Sequence, residues 1–410
     1  MTRRTVEFSC AVLITGLLAG VAGALTVELL HLVEHFAYGY SFGTLLDGVG
    51  ASPPVRRVLA PTLGGALAGL GWWLLRRRAD RNKQFTMAGD ATLQVLLVGS
   101  GASLGRESAP RLLAAVFSDL CTRWLSLTAR ERELLLACAA GAGLGAVYAV
   151  PFGGAFFTAR VLLRTWNLRV LGTALITSSL AVAVAYPVTH FERPLTWPDP
   201  SMSYLFIALA ILIAPGSLVV GLGFNRLMSM ATPKPQLTSW VLIPGIALTG
   251  LIIGLCSIHR PELPGNGRSI LIETIGETLT FGAAVALLTL KPLLTALYLR
   301  VGAAGGLITP ALATGAAAGT VATVVINQVT HSHIQVAAAS LTCAAGVLAI
   351  TQRAPAFAAL FAWEIAQPPF WLLVVFLVAA FTAHGLRLAF ERRRSVPISG
   401  TEPSTAQSAD

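Results

Sequence analysis

Two hexapeptides decide the reading of this chain: Gly105-Arg106-Glu107-Ser108-Ala109-Pro110 and Gly305-Gly306-Leu307-Ile308-Thr309-Pro310. Both have the form G-x-x-x-x-P, and they stand 200 positions apart. Each is followed by a second matching pair. Cys138-Ala139-Ala140-Gly141 precedes Pro151-Phe152-Gly153-Gly154-Ala155-Phe156-Phe157, and Cys343-Ala344-Ala345-Gly346 precedes Pro355-Ala356-Phe357-Ala358-Ala359-Leu360-Phe361, at offsets of 205 and 204. Anchors in one order at nearly one offset mark an internal repeat. Two halves follow, residues 1–200 and 201–394, each with a helix interrupted at the same place, a pattern that puts a binding site at the repeat interface.

Around these anchors the chain is apolar almost without pause from residue 8 to residue 390. Of its 410 residues 55% are hydrophobic and 12% charged, against about 25% charged in a soluble domain, too few to cover a wetted surface. The composition predicts an all-α polytopic membrane protein. Several apolar runs fall short of the ~20 residues a spanning helix needs. Many are cut by Gly or Pro, as at Gly101, Gly105, Pro151, Pro264, Gly306, Pro310 and Pro355, so the helices are broken and tilted. Irregular backbone survives at membrane depth only inside protein or along a polar cavity, which again implies an enclosed site.

The net charge of +10 lies between the apolar runs, at Arg3-Arg4, Arg56-Arg57, Arg76-Arg77-Arg78 with Arg81 and Lys83, Arg130-Glu131-Arg132 and Arg392-Arg393-Arg394. Basic clusters so placed follow the positive-inside bias and imply an inner-membrane protein with both termini cytoplasmic. No basic face alternates with exposed aromatics, so nucleic-acid binding is excluded. Cys10, Cys121, Cys138, Cys256 and Cys343 fit neither disulfide nor metal spacing and read as packing residues. The run from Phe8 to Val27 is long enough to span and reads as a retained first helix. Ser395 to Asp410 is polar and Pro/Ser-rich, a disordered tail.

A helix that starts inside the membrane directs unpaired N–H groups, equivalent to about +0.5 of an elementary charge, into the protein interior. Such ends attract anions, and they hold them more loosely than an interior Arg or Lys would, as conduction requires. The segments opening at Gly105 and Gly305 have the glycines that let backbone approach an ion closely, and each has a proline near its first turn, where the missing N–H costs least. Glu107 opens one of these segments amid apolar sequence. Its carboxylate competes for the same helix end as the ion, so protonating it or swinging it aside opens the path. The plainer alternative is that Glu107 caps its own helix and pairs with Arg106.

These residues resemble the CLC family of chloride channels and proton/chloride antiporters, in the short bacterial form without C-terminal regulatory domains. Gly105 to Pro110 is similar to the family's GREGP motif. Gly305 to Pro310, preceded by Lys291 and Gly302-Ala303-Ala304, is similar to its GxFxP region. The resemblance implies two inverted-topology repeats and a homodimer with a pore in each subunit. It makes Glu107 the gate, and places Gly105, Arg106, Gly306 and the backbone N–H groups of Leu307 and Ile308 at the anion. The chain would carry chloride as a transported ligand, with no cofactor and no enzyme activity; fluoride is an alternative cargo, and a non-transporting membrane protein the remote one. The family's GSGIP serine loop has no counterpart between Lys83 and Gly99, with Thr86 and Ser100 as weak substitutes. Ile308 replaces the GxFxP phenylalanine, Val161 falls on the antiporters' internal glutamate, and no pore tyrosine is evident in Leu386 to Arg394. Loss of the relay at Val161 favours a passive anion pathway over antiport.

Other polar residues read more plainly. Glu28, His31 and Glu34 share a helix face near its end, expected to be solvated. Arg160 and Glu364 close matching segments and are expected to pair across the repeats or to face the cytoplasm. Glu273 and Glu277 read as an exposed helix end, and Trp72, Trp73, Trp363 and Trp371 as membrane-interface anchors.

Overall fold

With no water in the bilayer core, every backbone N–H and C=O must be paired within the chain, and helices do this most simply. The computed structural model describes residues 3–77, 83–189, 197–198 and 205–395, and within them regular structure is helical throughout. In order these are α1 (Arg3–Tyr38), α2 (Leu45–Ala51), α3 (Pro54–Arg76), α4 (Lys83–Gly99), α5 (Ser108–Thr122), α6 (Ala129–Tyr148), α7 (Pro151–Phe156) continued by a π-helical turn (Phe157–Leu162), and α8 (Leu168–Thr189). They continue as α9 (Leu205–Ala231), α10 (Leu242–His259), α11 (Arg268–Ile275), α12 (Phe281–Arg300), α13 (Ile308–Thr330), α14 (Val336–Gln352), α15 (Pro355–Ala366) and α16 (Trp371–Ser395). Eight of the described helices are long and apolar enough to cross a membrane. Arg78, Arg81 and the tail beyond Ser395 lie outside the described residues, as does the expected repeat boundary near residue 200.

Packing falls into two matching sets. In the first half α1 packs on α6 and α8, α6 on α5, α7 and α8; in the second, α9 packs on α14 and α16, α14 on α13, α15 and α16. The halves also stop their helices alike. Ala149 after α6 and Arg353 after α14 both take the left-handed conformation (φ 54° and 55°), and a proline at the first position of the next helix follows two residues later. Proline is tolerated there because its N–H would be unpaired anyway. This is the all-α fold of two inverted-topology repeats that the sequence led us to expect. Between the halves α3 and α10 pack backbone on backbone. A Cβ on Gly65 would stand 2.7 Å from the Ile246 carbonyl, and one on Gly254 would stand 2.6 Å from Val58 Cα, the small-residue packing by which membrane helices approach closely.

Some sequence expectations change. Trp72 is not an interface anchor: it is fully buried, and its indole N–H donates to Asp90 Oδ1 at 2.6 Å. Cys138 and Cys343 are buried packing residues, but Cys10 and Cys121 are exposed. Leu13, Leu17, Leu63, Leu67, Leu212 and Val219 are exposed on the spanning helices, as lipid-facing positions should be.

Candidate functional site

The site forms where the first turns of α5 and α13 meet. Residues 100–107 leave helical geometry after α4, and Gly105 and Gly306 pair as an isolated antiparallel bridge. The Gly105 N–H donates to the Gly306 carbonyl at 2.8 Å, and the Gly306 N–H returns to the Gly105 carbonyl at 2.9 Å. Both donors are therefore spent on each other, and neither glycine offers a free N–H to an ion. Their contribution is space: a Cβ on either would collide with the side chain of Glu107.

Glu107 is 0% exposed. It makes no capping bond to its own helix, contrary to the plainer sequence reading, and reaches across to the opposite repeat. Oε1 accepts the Ile308 N–H at 2.6 Å. Oε2 accepts the Tyr148 hydroxyl at 3.1 Å and the Thr309 hydroxyl at 3.2 Å. The Asn266 side-chain amide donates to the Tyr148 oxygen at 3.2 Å, leaving the Tyr148 proton directed at the carboxylate. Three donors converge on one buried carboxylate, a donor set of the kind that binds compact anions.

Arg106 is buried, with its guanidinium 4.9 Å above the Tyr148 ring. It lines a cavity of about 340 Å³ together with His31, Glu34, Tyr40, Asn266 and Arg268. Glu34 is buried against this cavity and accepts the Tyr40 hydroxyl at 3.2 Å, which corrects the expectation of a solvated face; of that trio, Glu28 is exposed. Burial, and then the neighbouring Glu34, push the Tyr40 phenol above its ordinary range, so it stays a donor. Lys291 is fully buried and its ammonium donates to the carbonyls of Leu263 and Gly265 at 2.9 and 2.6 Å. It ties down the loop ahead of α11 and thereby Asn266.

Arg160 and Glu364 do not pair. Arg160 lies 4.1 Å above the Trp166 ring, while Glu364 on α15 accepts the N–H groups of Phe152 and Gly153 at the start of α7. A carboxylate of one repeat thus caps the interrupted helix of the other. Glu273 accepts the Thr278 hydroxyl at 2.8 Å and so serves its own turn, whereas Glu277 reaches the Ala337 N–H in the first turn of α14 at 3.1 Å. The Ser100 hydroxyl is turned back onto the Leu96 carbonyl at 2.7 Å. Val161 packs against the core. In α16, Arg387 bonds to the Ile350 carbonyl and pairs with Glu391 at 2.9 Å.

Two helix starts, bridged glycine to glycine with a buried glutamate between them, match a known family in sequence as well. The profile described as "Voltage gated chloride channel" matches residues 75–387. The chain belongs to the CLC family. Among its CLC relatives, the voltage-gated ClC-type chloride channel ClcB of Escherichia coli O17:K52:H18 is 31% identical over 327 residues, covering 75% of this chain and 78% of ClcB. Of solved structures, a slow cyanobacterial Cl-/H+ antiporter superposes with a TM-score of 0.75 at 18% identity, over 94% of this chain and 95% of that one. A CLC-type fluoride/proton antiporter gives 0.73 at 18% identity over 94% and 96%. The protein is accordingly a multi-pass membrane protein of CLC-type anion transport.

Sequence reasoning brought together Glu107, Gly105, Gly306 and Ile308, with Leu307 as the cap residue of α13. It missed Tyr148, Thr309, Asn266 and Arg268. Thr309 stood inside a quoted motif, Asn266 lies between two glycines, and Tyr148 stands directly before the left-handed Ala149 and three residues before Pro151. A polar group beside an interrupted helix was the signal available.

Proposed function

We propose that the protein exchanges chloride for protons across the plasma membrane, with Glu107 as the gate. The observation that carries this reading is the full burial of the Glu107 carboxylate on the Ile308 N–H. An ion drawn to the start of α13 must displace that carboxylate. Protonation removes the charge that the three donors bind, weakens each charge-assisted bond and frees the side chain to swing aside. Each opening then takes up one proton, and release of that proton on the opposite side couples the two ions. The Cl-/H+ and fluoride/proton antiporters that share the fold support coupling over the passive route suggested by Val161.

In this reading Ile308 and Leu307 supply backbone donors to the anion, Gly105 and Gly306 the room for it, and Arg106 with Arg268 the positive cavity through which it arrives. The chain works as a homodimer with one pore per subunit and both termini in the cytoplasm. It is a transporter without enzyme activity, needs no cofactor beyond its transported anion and binds no nucleic acid. The test is the reversal potential of purified protein in planar bilayers under a fixed chloride gradient. A shift when a pH gradient is imposed supports exchange; no shift leaves passive chloride flow. Competition between chloride and fluoride in the same bilayers decides the cargo.

A further inference from the structure

Arg111 lies on α5 four residues past Glu107, one helical turn or about 6 Å along the axis. It is not part of the cavity lining. From Glu107, α5 runs away from that cavity, toward the end of the molecule where Asp119 approaches Arg132 at 3.9 Å and Arg4 meets Glu131 at 3.5 Å. The cavity sits instead at the opposite end of α1, beside His31 and Glu34. Arg106 and Arg111 therefore flank the glutamate from opposite sides.

The Arg111 guanidinium rests 4.6 Å above the Phe157 ring. Its Nε is buried and has no hydrogen-bond acceptor among the described residues, although the residue as a whole is partly exposed. The remaining charge it senses is Glu107, already bound by its own three donors. Lys291, by contrast, is satisfied by two carbonyls. A ring face returns only about 0.5–2 kcal/mol to a cation, and it supplies no acceptor for the buried Nε, so this guanidinium has a donor to offer an anion. A continuous aromatic wall joins the two arginines: Arg106 over Tyr148, Tyr148 against Phe361 at 5.6 Å, Phe361 against Phe357 at 5.3 Å, Phe357 against Phe157 at 5.4 Å, then Arg111.

We propose that Arg111 is the anion-coordinating group of an inner station on the pathway, holding a small monovalent anion on the side of Glu107 away from the cavity. The inference rests on the anion-transport reading and supplies what that reading lacks, because the Ser100 hydroxyl is turned away and no tyrosine stands between Leu386 and Arg394. A full charge in place of hydroxyls binds the ion more tightly and releases it more slowly.

The test is calorimetric titration of chloride into chloride-free detergent-solubilised protein, wild type against Arg111→Gln and Arg111→Lys. Loss of a charge-assisted contact predicts at least about tenfold weaker binding in R111Q, with R111K close to wild type. Wild-type affinity in R111Q overturns the assignment while leaving the transport reading intact. Should R111Q not fold, wild-type crystals soaked in bromide decide: an anomalous peak in contact with the Arg111 guanidinium supports the station, and bromide elsewhere in the pathway but not there overturns it. If wild type takes up neither ion, the transport reading itself falls.

Discussion

Glu107, which opens a helix in one repeat, is bound at 2.6 Å by the backbone N–H of Ile308, which opens the matching helix in the other. One donor can serve either the tethered carboxylate or a free ion, so in the proposed cycle the contact that closes the pathway is also the one that binds the cargo. The Gly105–Gly306 bridge fixes the spacing of the two ends and keeps their own N–H groups out of the competition.

Tyr148→Phe and Thr309→Val each remove one hydroxyl donor from the Glu107 side chain. A hydrogen bond to a charged group contributes about 1.5–3 kcal/mol, so releasing the carboxylate becomes roughly tenfold easier or more. Chloride efflux from liposomes should be faster in both variants and should persist to higher pH than in wild type.

Gly306→Ala puts a methyl group into the Glu107 side chain. Overpacking of this kind costs about 1–3 kcal/mol. The same change made in Glu107→Ala should cost much less, because the obstructing carboxylate is gone. A double-mutant cycle on thermal stability measures that coupling.

Glu364→Ala strips two backbone N–H groups at the start of α7 of their acceptor. Buried donors left unpaired cost about 1–3 kcal/mol, and the midpoint of thermal unfolding should fall. Glu364→Gln retains one acceptor oxygen and should recover part of the loss.

At the solvated start of α6, Thr128 and Glu131 form a reciprocal capping box. The side-chain and backbone donors of Thr128 hold the Glu131 carboxyl below its ordinary range, with a small opposing effect of burial. A carboxyl so depressed stabilises the fold above its unfolded-state value, and that contribution disappears as the pH falls through the lower, folded value. Thermal stability of wild type should therefore exceed that of Glu131→Ala near neutrality by about 1 kcal/mol, with the gap closing in acid.

The repeat, the interrupted helices and Glu107 were legible because glycine and proline punctuate the backbone at fixed offsets and a lone carboxylate in apolar sequence needs a reason. What Glu107 touches was only partly legible. The Ile308 N–H was expected beside it, but Tyr148 is 41 positions away and Thr309 is 202, and no local pattern states which hydroxyl a fold brings to a carboxylate. Gly105 and Gly306 were expected at the anion because glycine lets backbone approach closely; pairing across the repeats consumed both of their N–H groups. Arg160 and Glu364 matched in position, but opposite charges at equivalent positions need not meet, and the start of α7 took the carboxylate instead. Glu34 was expected to be wet because it closes a helix face, yet the Tyr40 loop folds over it.

The most direct test of Glu107 as a proton-controlled plug is chloride efflux from liposomes across pH for wild type and Glu107→Ala. The account predicts wild-type efflux that accelerates as the pH falls and variant efflux that is fast and flat with pH. Equal efflux from the two proteins at every pH would contradict it.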